Sequence, residues 1–292
     1  MGEPTLMFCI GATKAGTSWL HRYISNHAQC HMRGIKELHY FDAVEFDDFD
    51  PWIADVTARR DSNLAEADGF APDLAEIKRR VAQDADDWRQ VLETRGQDDG
   101  AYLEYLNKGR EGQHLVGDFT PAYGLLPERR LAHMAGMLPD VRFVYLLRDP
   151  VDRIWSHARM MASRRANKPS EIPRRSVNIL KRILKGKEPE IVRRSDYIGP
   201  LTRLEAVTRP DQLFVGFYED LFTKDSIGKI SRFLGIDHGW ADFSKRFMEG
   251  PKAVMEPGQW DEMRAFLAPQ YDAMAEMFGT LPDAWGRETM KV

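Results

Sequence analysis

The chain has 292 residues, enough for one large α/β domain without requiring two. Its apolar fraction of 43% and charged fraction of 29% are those of an ordinary globular protein, and a net charge of −4 argues against a dedicated nucleic-acid binder. Two cysteines, Cys9 and Cys30, give neither a disulfide framework nor a zinc site, and no apolar run approaches the ~20 residues of a membrane-spanning helix. The run near the start is also too short for a secretory leader, so the expected location is the cytoplasm.

Leu6–Ile10 is continuously apolar and predicts a buried strand, with Cys9 a small core residue. A glycine-containing loop follows, then a helix from about Thr17 to Asn26 with Trp19, Leu20, Tyr23 and Ile24 at helical spacing. Strand, loop and helix in that order open a parallel α/β sheet. Leu115–Asp118 adds a short strand. Val141–Leu147 is a second long buried strand, followed by a loop and a helix from about Pro150 to Ala162. Leu213–Phe217 is another, and its helix runs from about Ser226 to Leu234 and stops at Gly235.

Two charge-biased segments interrupt these units. Residues 43–112 carry about twice as many acidic as basic side chains, and Leu74–Leu92 is their best helical stretch. Residues 159–194 hold about twelve Lys and Arg against three Glu, with Pro169, Pro173 and Pro189 among them, and read as a solvated, mobile cover over a site or, second to that, as a surface for a polyanionic acceptor or an anionic membrane. The expected architecture is one P-loop-like α/β domain over residues 1–292. A central parallel sheet is flanked by helices, with helical or loop insertions at about 43–112 and 159–194.

Gly11-Ala12-Thr13-Lys14-Ala15-Gly16-Thr17-Ser18-Trp19 lies between a strand and a helix, where backbone N–H groups and the helix dipole converge on an anion. Gly16 lets the backbone approach phosphate oxygens, Lys14 brings a mobile charge, and Thr17 and Ser18 bring hydroxyls. A nucleotide triphosphatase places its Lys directly before the Ser/Thr; here Lys14 precedes Gly16 by two residues. The loop therefore suits a phosphate-rich ligand other than ATP–magnesium, and no metal-binding arrangement is apparent. Arg148 at a strand's carboxyl end offers a charged fork to a second phosphate, and Ser156, two turns into the next helix, a hydroxyl.

Lys14-Ala15-Gly16-Thr17-Ser18-Trp19 resembles the 5′-phosphosulfate loop of sulfotransferases that use 3′-phosphoadenosine 5′-phosphosulfate (PAPS). Arg148-Asp149-Pro150-Val151-Asp152-Arg153-Ile154-Trp155-Ser156 resembles their 3′-phosphate motif, and Tyr218-Glu219-Asp220-Leu221 their C-terminal segment. The motifs are most similar to the glycan 3-O- and N-sulfotransferase branch and its bacterial relatives. The resemblance implies PAPS as donor, adenosine 3′,5′-bisphosphate as product and no metal. It also implies that Lys14 through Trp19, Arg148 and Ser156 hold the nucleotide and that Lys14 stabilises the leaving group. Tyr197 either stacks near the nucleotide or fills the core, and Lys252 lies near a late basic loop of the family.

Glu37-Leu38-His39-Tyr40-Phe41-Asp42 resembles the Glu-x-His-Phe-Phe-Asp stretch of the glycan branch, which makes Glu37 the candidate base and His39 the alternative. In an extended segment the two side chains point the same way, ~7 Å apart at the Cα level. Gly117-Asp118-Phe119-Thr120-Pro121-Ala122-Tyr123 resembles that branch's Glu-Lys-[Ser/Thr]-Pro-x-Tyr segment, with Phe119 in place of its lysine. An apolar ring binds no acceptor carboxylate or sulfate, which favours a smaller or more apolar acceptor. The expected partners are small-molecule, lipid or carbohydrate acceptors offering a hydroxyl or, second to that, an amine. An ATP-dependent P-loop kinase and a non-catalytic nucleotide-binding module are the competing readings. The acceptor's identity and the oligomeric state are not legible.

Overall fold

A computed structural model describes residues 2–243 and 253–286. Five parallel strands form one sheet in the order β2-β3-β1-β4-β5. They are β1 (Thr5–Gly11), β2 (Cys30–His31), β3 (Leu115–Asp118), β4 (Val141–Leu147) and β5 (Leu213–Phe217). Parallel strands need both faces covered, which is why Leu6–Ile10 of β1 and Phe143–Leu147 of β4 read as unbroken apolar runs. Leu6 through Ile10 and Phe143 through Leu147 are all buried. Three of the predicted strands, at Leu115, Val141 and Leu213, have the predicted bounds. The two-residue edge strand β2 escapes prediction because it is too short to show a period.

Helix α1 (Thr17–Ser25) leaves β1 through the glycine loop and buries Trp19, Leu20, Tyr23 and Ile24, the predicted face. The acidic insertion between β2 and β3 is wholly helical, with α2 (Tyr40–Phe46), α3 (Asp50–Ala67), α4 (Pro72–Glu93) and α5 (Asp99–Asn107). Helix α6 (Glu128–Ala135) packs below β4. The basic insertion continues α7 (Pro150–Arg165) into α8 (Ile172–Leu184) and α9 (Pro189–Arg193). Its prolines start elements rather than break them: Pro169 opens a 3-10 turn, Pro173 sits in the first turn of α8 and Pro189 opens α9. The mobile-cover expectation is thereby corrected to a packed helical wall, since Ile172, Ile179, Leu180 and Ile183 bury one face of α8 beside α7. Helices α10 (Ile198–Val207), α11 (Lys224–Leu234), α12 (Pro257–Phe266) and α13 (Ala268–Phe278) complete the layers. Among the described residues no helix is long and apolar enough to cross a membrane.

Candidate active site

The carboxyl ends of β1 and β4 open into a cleft of about 920 Å³, a volume typical of nucleotide and substrate pockets. Thr13, Lys14, Gly16, Thr17, Ser18 and Trp19 line it, and Arg148 and Ser156 join them from the β4–α7 unit. The two motifs, about 130 residues apart in sequence, thus meet because β1 and β4 are sheet neighbours.

Gly16 is the N-cap of α1 at φ 92°, a conformation that side-chain-bearing residues seldom adopt. A Cβ there would also lie 2.8 Å from Leu221 and 2.9 Å from Tyr218, so the glycine is required by its inner neighbours as well. No side chain caps α1, and its first turn carries no acid, so its leading amides face the cleft as an open anion site. Lys14 is displaced from its ordinary pKa in the downward direction by burial first and then by Arg148, Arg159, Lys36 and Arg164. Ala15 is fully buried and forms no part of the cleft lining; its N–H donates to the Ala12 carbonyl at 3.1 Å.

Arg148 donates to the Lys14 carbonyl at 3.2 Å and lies 4.3 Å from the Tyr218 ring centroid, while its buried Nε has no partner. The Tyr218–Leu221 segment buttresses both motifs. Glu219 accepts the Asp149 N–H at 2.9 Å and the Trp285 indole N–H at 3.0 Å, and Asp149 caps α7 by accepting the Asp152 N–H at 2.9 Å. Tyr197 takes the core alternative: it is fully buried behind Arg148, donates to the Arg148 carbonyl at 2.7 Å and does not line the cleft. Lys252 lies outside the described residues.

Arg153, inside the same motif, is its buried cation. Its guanidinium is fully buried and donates to the Thr13 carbonyl at 3.4 Å, to the Ile191 carbonyl at 3.3 Å and to the Ser195 hydroxyl. Its Nε has no partner, and burial pushes its pKa down to about 10. His157 beside it is pushed down to about 2 by burial and by Arg153, Arg194, Lys14 and Arg164. A buried guanidinium held by neutral acceptors costs free energy that an anionic ligand can offset.

Glu37, His39 and Lys36 line the other end of the cleft with Pro51, Trp52 and Arg59. The expected extended segment is absent: Glu37 has φ 62° and His39 φ 55°, both left-handed, and His39 caps α2. The carboxylate and imidazole still meet, with Glu37 Oε2 3.9 Å from His39 Nε2, because two tight bends aim them together. His39 Nδ1 lies 2.6 Å from Asp42 Oδ2, so a neutral ring keeps its proton there and presents the Nε2 lone pair to the cleft. The His39 ring also stacks on Trp52 with centroids 3.5 Å apart and planes 10° from parallel. Lys36 donates to Ser18 Oγ at 2.9 Å and lies 3.3 Å from Glu37 Oε1, bridging the two ends. Phe119 is buried beside the His21 ring, the two planes perpendicular, and does not line the cleft. Lys36 directly precedes the Glu37–Asp42 motif, but no sequence signal links Trp52 to His39.

A parallel sheet with an uncapped helix N-terminus at the end of β1 and a second basic motif after β4 defines a single α/β domain with a cationic cleft at its strand ends. The chain belongs to the sulfotransferase family, whose model matches residues 6–242, and transfer of sulfuryl groups is the general chemistry of that family. In structure it is similar to the sulfotransferase of Alicyclobacillus acidocaldarius, at 22% identity and a TM-score of 0.60 over 98% of this chain and 100% of that one. It is also similar to the sulfotransferase domain of the Synechococcus PCC 7002 olefin synthase, at 16% identity and 0.49 over 96% of each. No curated protein sequence matches the chain significantly.

Proposed function

We propose that the chain transfers a sulfuryl group from PAPS to an acceptor hydroxyl. The observation that carries this reading is the meeting, in one cleft, of the Lys14 loop, the Arg148–Ser156 motif and the Glu37–His39 pair. The cleft fits a polyanionic nucleotide on its own chemistry. Lys14 and Arg148 line it, Arg148 held by the Lys14 carbonyl and the Tyr218 ring with its buried Nε unbonded, and the buried Arg153 adds a positive charge behind the Thr13 carbonyl. In this reading Arg148 and Ser156 hold the 3′-phosphate, and the α1 amides with Thr17 and Ser18 hold the 5′-phosphosulfate. Trp19, aligned with Tyr23 and Phe243, flanks the base.

The donor supplies an activated sulfuryl group whose bridging oxygen leaves with the bond's electron pair. Lys14 neutralises the charge that develops on that oxygen, a preorganised contribution of ~10²–10³ in rate. Glu37 takes the acceptor's proton, and His39, oriented by Asp42, is the alternative base on the same face. Trp52, Pro51, Pro121 and Ala122 give the acceptor apolar contacts beside Lys36, Asp55 and Arg59, which suits a compact alcohol. Calorimetry separates this reading from ATP chemistry. Adenosine 3′,5′-bisphosphate is expected to bind at least tenfold more tightly than ATP–magnesium, and Arg148→Ala to weaken it ~10–100-fold through loss of a charged hydrogen-bond fork. Tighter ATP–magnesium binding would revive the kinase alternative.

A further inference from the structure

Two left-handed residues that both carry side chains, Glu37 and His39 on either side of Leu38, do not hold that shape unaided. The Glu37 N–H donates to the Phe119 carbonyl at 3.1 Å, and the Trp88 indole N–H donates to the Leu38 carbonyl at 3.0 Å. The Leu38 N–H donates to Thr120 Oγ1 at 2.9 Å, and the Tyr40 N–H donates to the Tyr123 hydroxyl at 2.9 Å. Both hydroxyls converge on one buried carboxylate. Thr120 donates to Asp118 Oδ1 at 2.6 Å, and Tyr123 donates to Asp118 Oδ2 at 2.8 Å. Tyr102 of α5 adds a third donor to Oδ2 at 3.1 Å.

The polarity of this network follows from the carboxylate. An ionised Asp accepts only, so each hydroxyl must turn its hydrogen toward Asp118 and its lone pairs toward the peptide N–H groups. Thr120 and Tyr123 then accept from Leu38 and Tyr40, the residues on either side of His39. Asp118 is fully enclosed, with Tyr102 and Tyr105 of α5, Tyr123, Cys9 of β1 and His39 as the titratable groups around it, and among the described residues no lysine or arginine bonds to it.

We propose that Asp118 is the positioning residue for the Glu37–His39 pair, fixing two hydroxyls as acceptors so that they hold the left-handed turn carrying both side chains. This rests on the proposed catalytic role of Glu37 and His39. An amide at position 118 would present a donor to one of the two hydroxyls and reverse it, leaving the Leu38 or Tyr40 N–H facing a hydrogen. A carboxylate that merely filled space would tolerate that change.

The test compares Asp118→Asn, Thr120→Val and Tyr123→Phe with the wild type. It reads amide hydrogen exchange at Leu38 and Tyr40, kcat with PAPS and an active acceptor, and the Kd of adenosine 3′,5′-bisphosphate. Asp118→Asn is expected to speed exchange at least tenfold at whichever of the two amides faces the reversed hydroxyl and to lower kcat at least tenfold, with the bisphosphate Kd within twofold. Thr120→Val is expected to release Leu38 alone and Tyr123→Phe to release Tyr40 alone, each with a smaller loss of kcat. Those two variants also carry the test if Asp118→Asn fails to fold. Normal exchange and kcat in the variants, or a bisphosphate Kd that weakens in proportion to kcat, would overturn the proposal. Full turnover in both Glu37→Gln and His39→Asn would overturn the catalytic reading beneath it. Loss of turnover in those two with wild-type behaviour in Asp118→Asn overturns the positioning role alone.

Discussion

Lys14, Gly16 and Arg148 each owe their meaning to a neighbour that local sequence names, and each was legible for that reason. A lysine in a strand–glycine–helix loop has one direction to face, and an arginine ending a buried strand has one cleft to enter. Arg153, Lys36 and Trp52 were opaque because their partners are distant: Ser195 and Thr13 for Arg153, Ser18 for Lys36 and His39 for Trp52. Gly16→Ala is expected to destabilise the fold by ~1–3 kcal/mol, since φ 92° and the Tyr218 and Leu221 contacts both oppose a Cβ. Thermal unfolding measures that loss, and an unchanged Tm would contradict the packing. His157 is expected to stay neutral from pH 8 down to pH 5 in an imidazole NMR titration, because its folded pKa lies near 2. The unfolded chain takes up that proton near the ordinary value of 6.5, so acidification favours unfolding. Relative to His157→Gln, the wild type should lose stability as pH falls from about 7 to 5.

At the scale of elements, the sheet was readable because each strand is a short apolar run followed by a loop and a periodic helix. The Glu37–His39 segment was misread for a physical reason. Its alternation of polar and apolar residues mimics a strand, yet its backbone hydrogen bonds go to Phe119, Thr120 and Tyr123 rather than to a sheet partner. Side-chain hydroxyls separated by more than 80 residues from the amides they hold leave no local signal. The basic insertion was misjudged because its prolines and charges mask the apolar stripe of α8. That stripe gives a direct test. Ile183→Ala is expected to cost ~2–5 kcal/mol, as for a fully buried aliphatic side chain, whereas a solvated cover would show no change on denaturant unfolding.

Over the whole molecule, the sheet order places β1 between β3 and β4, so three adjacent strand ends supply the two phosphate motifs and the support for the Glu37–His39 turn. From β1 comes the Lys14 loop, from β4 the Arg148 motif, and from β3 the Asp118 network that holds Glu37 and His39. The described cleft lining carries eight Lys and Arg against four Asp and Glu, an excess that suits a ligand of several negative charges. The central claim is that this cleft moves a sulfuryl group from PAPS, and radiolabelled PAPS turnover across an acceptor panel measures it most directly. The wild type is expected to transfer label to at least one alcohol. Lys14→Ala should reduce the rate ~10²–10³-fold, and Glu37→Ala ~10²–10⁴-fold. Undiminished transfer in both variants, or bisphosphate binding without transfer to any acceptor, would contradict it.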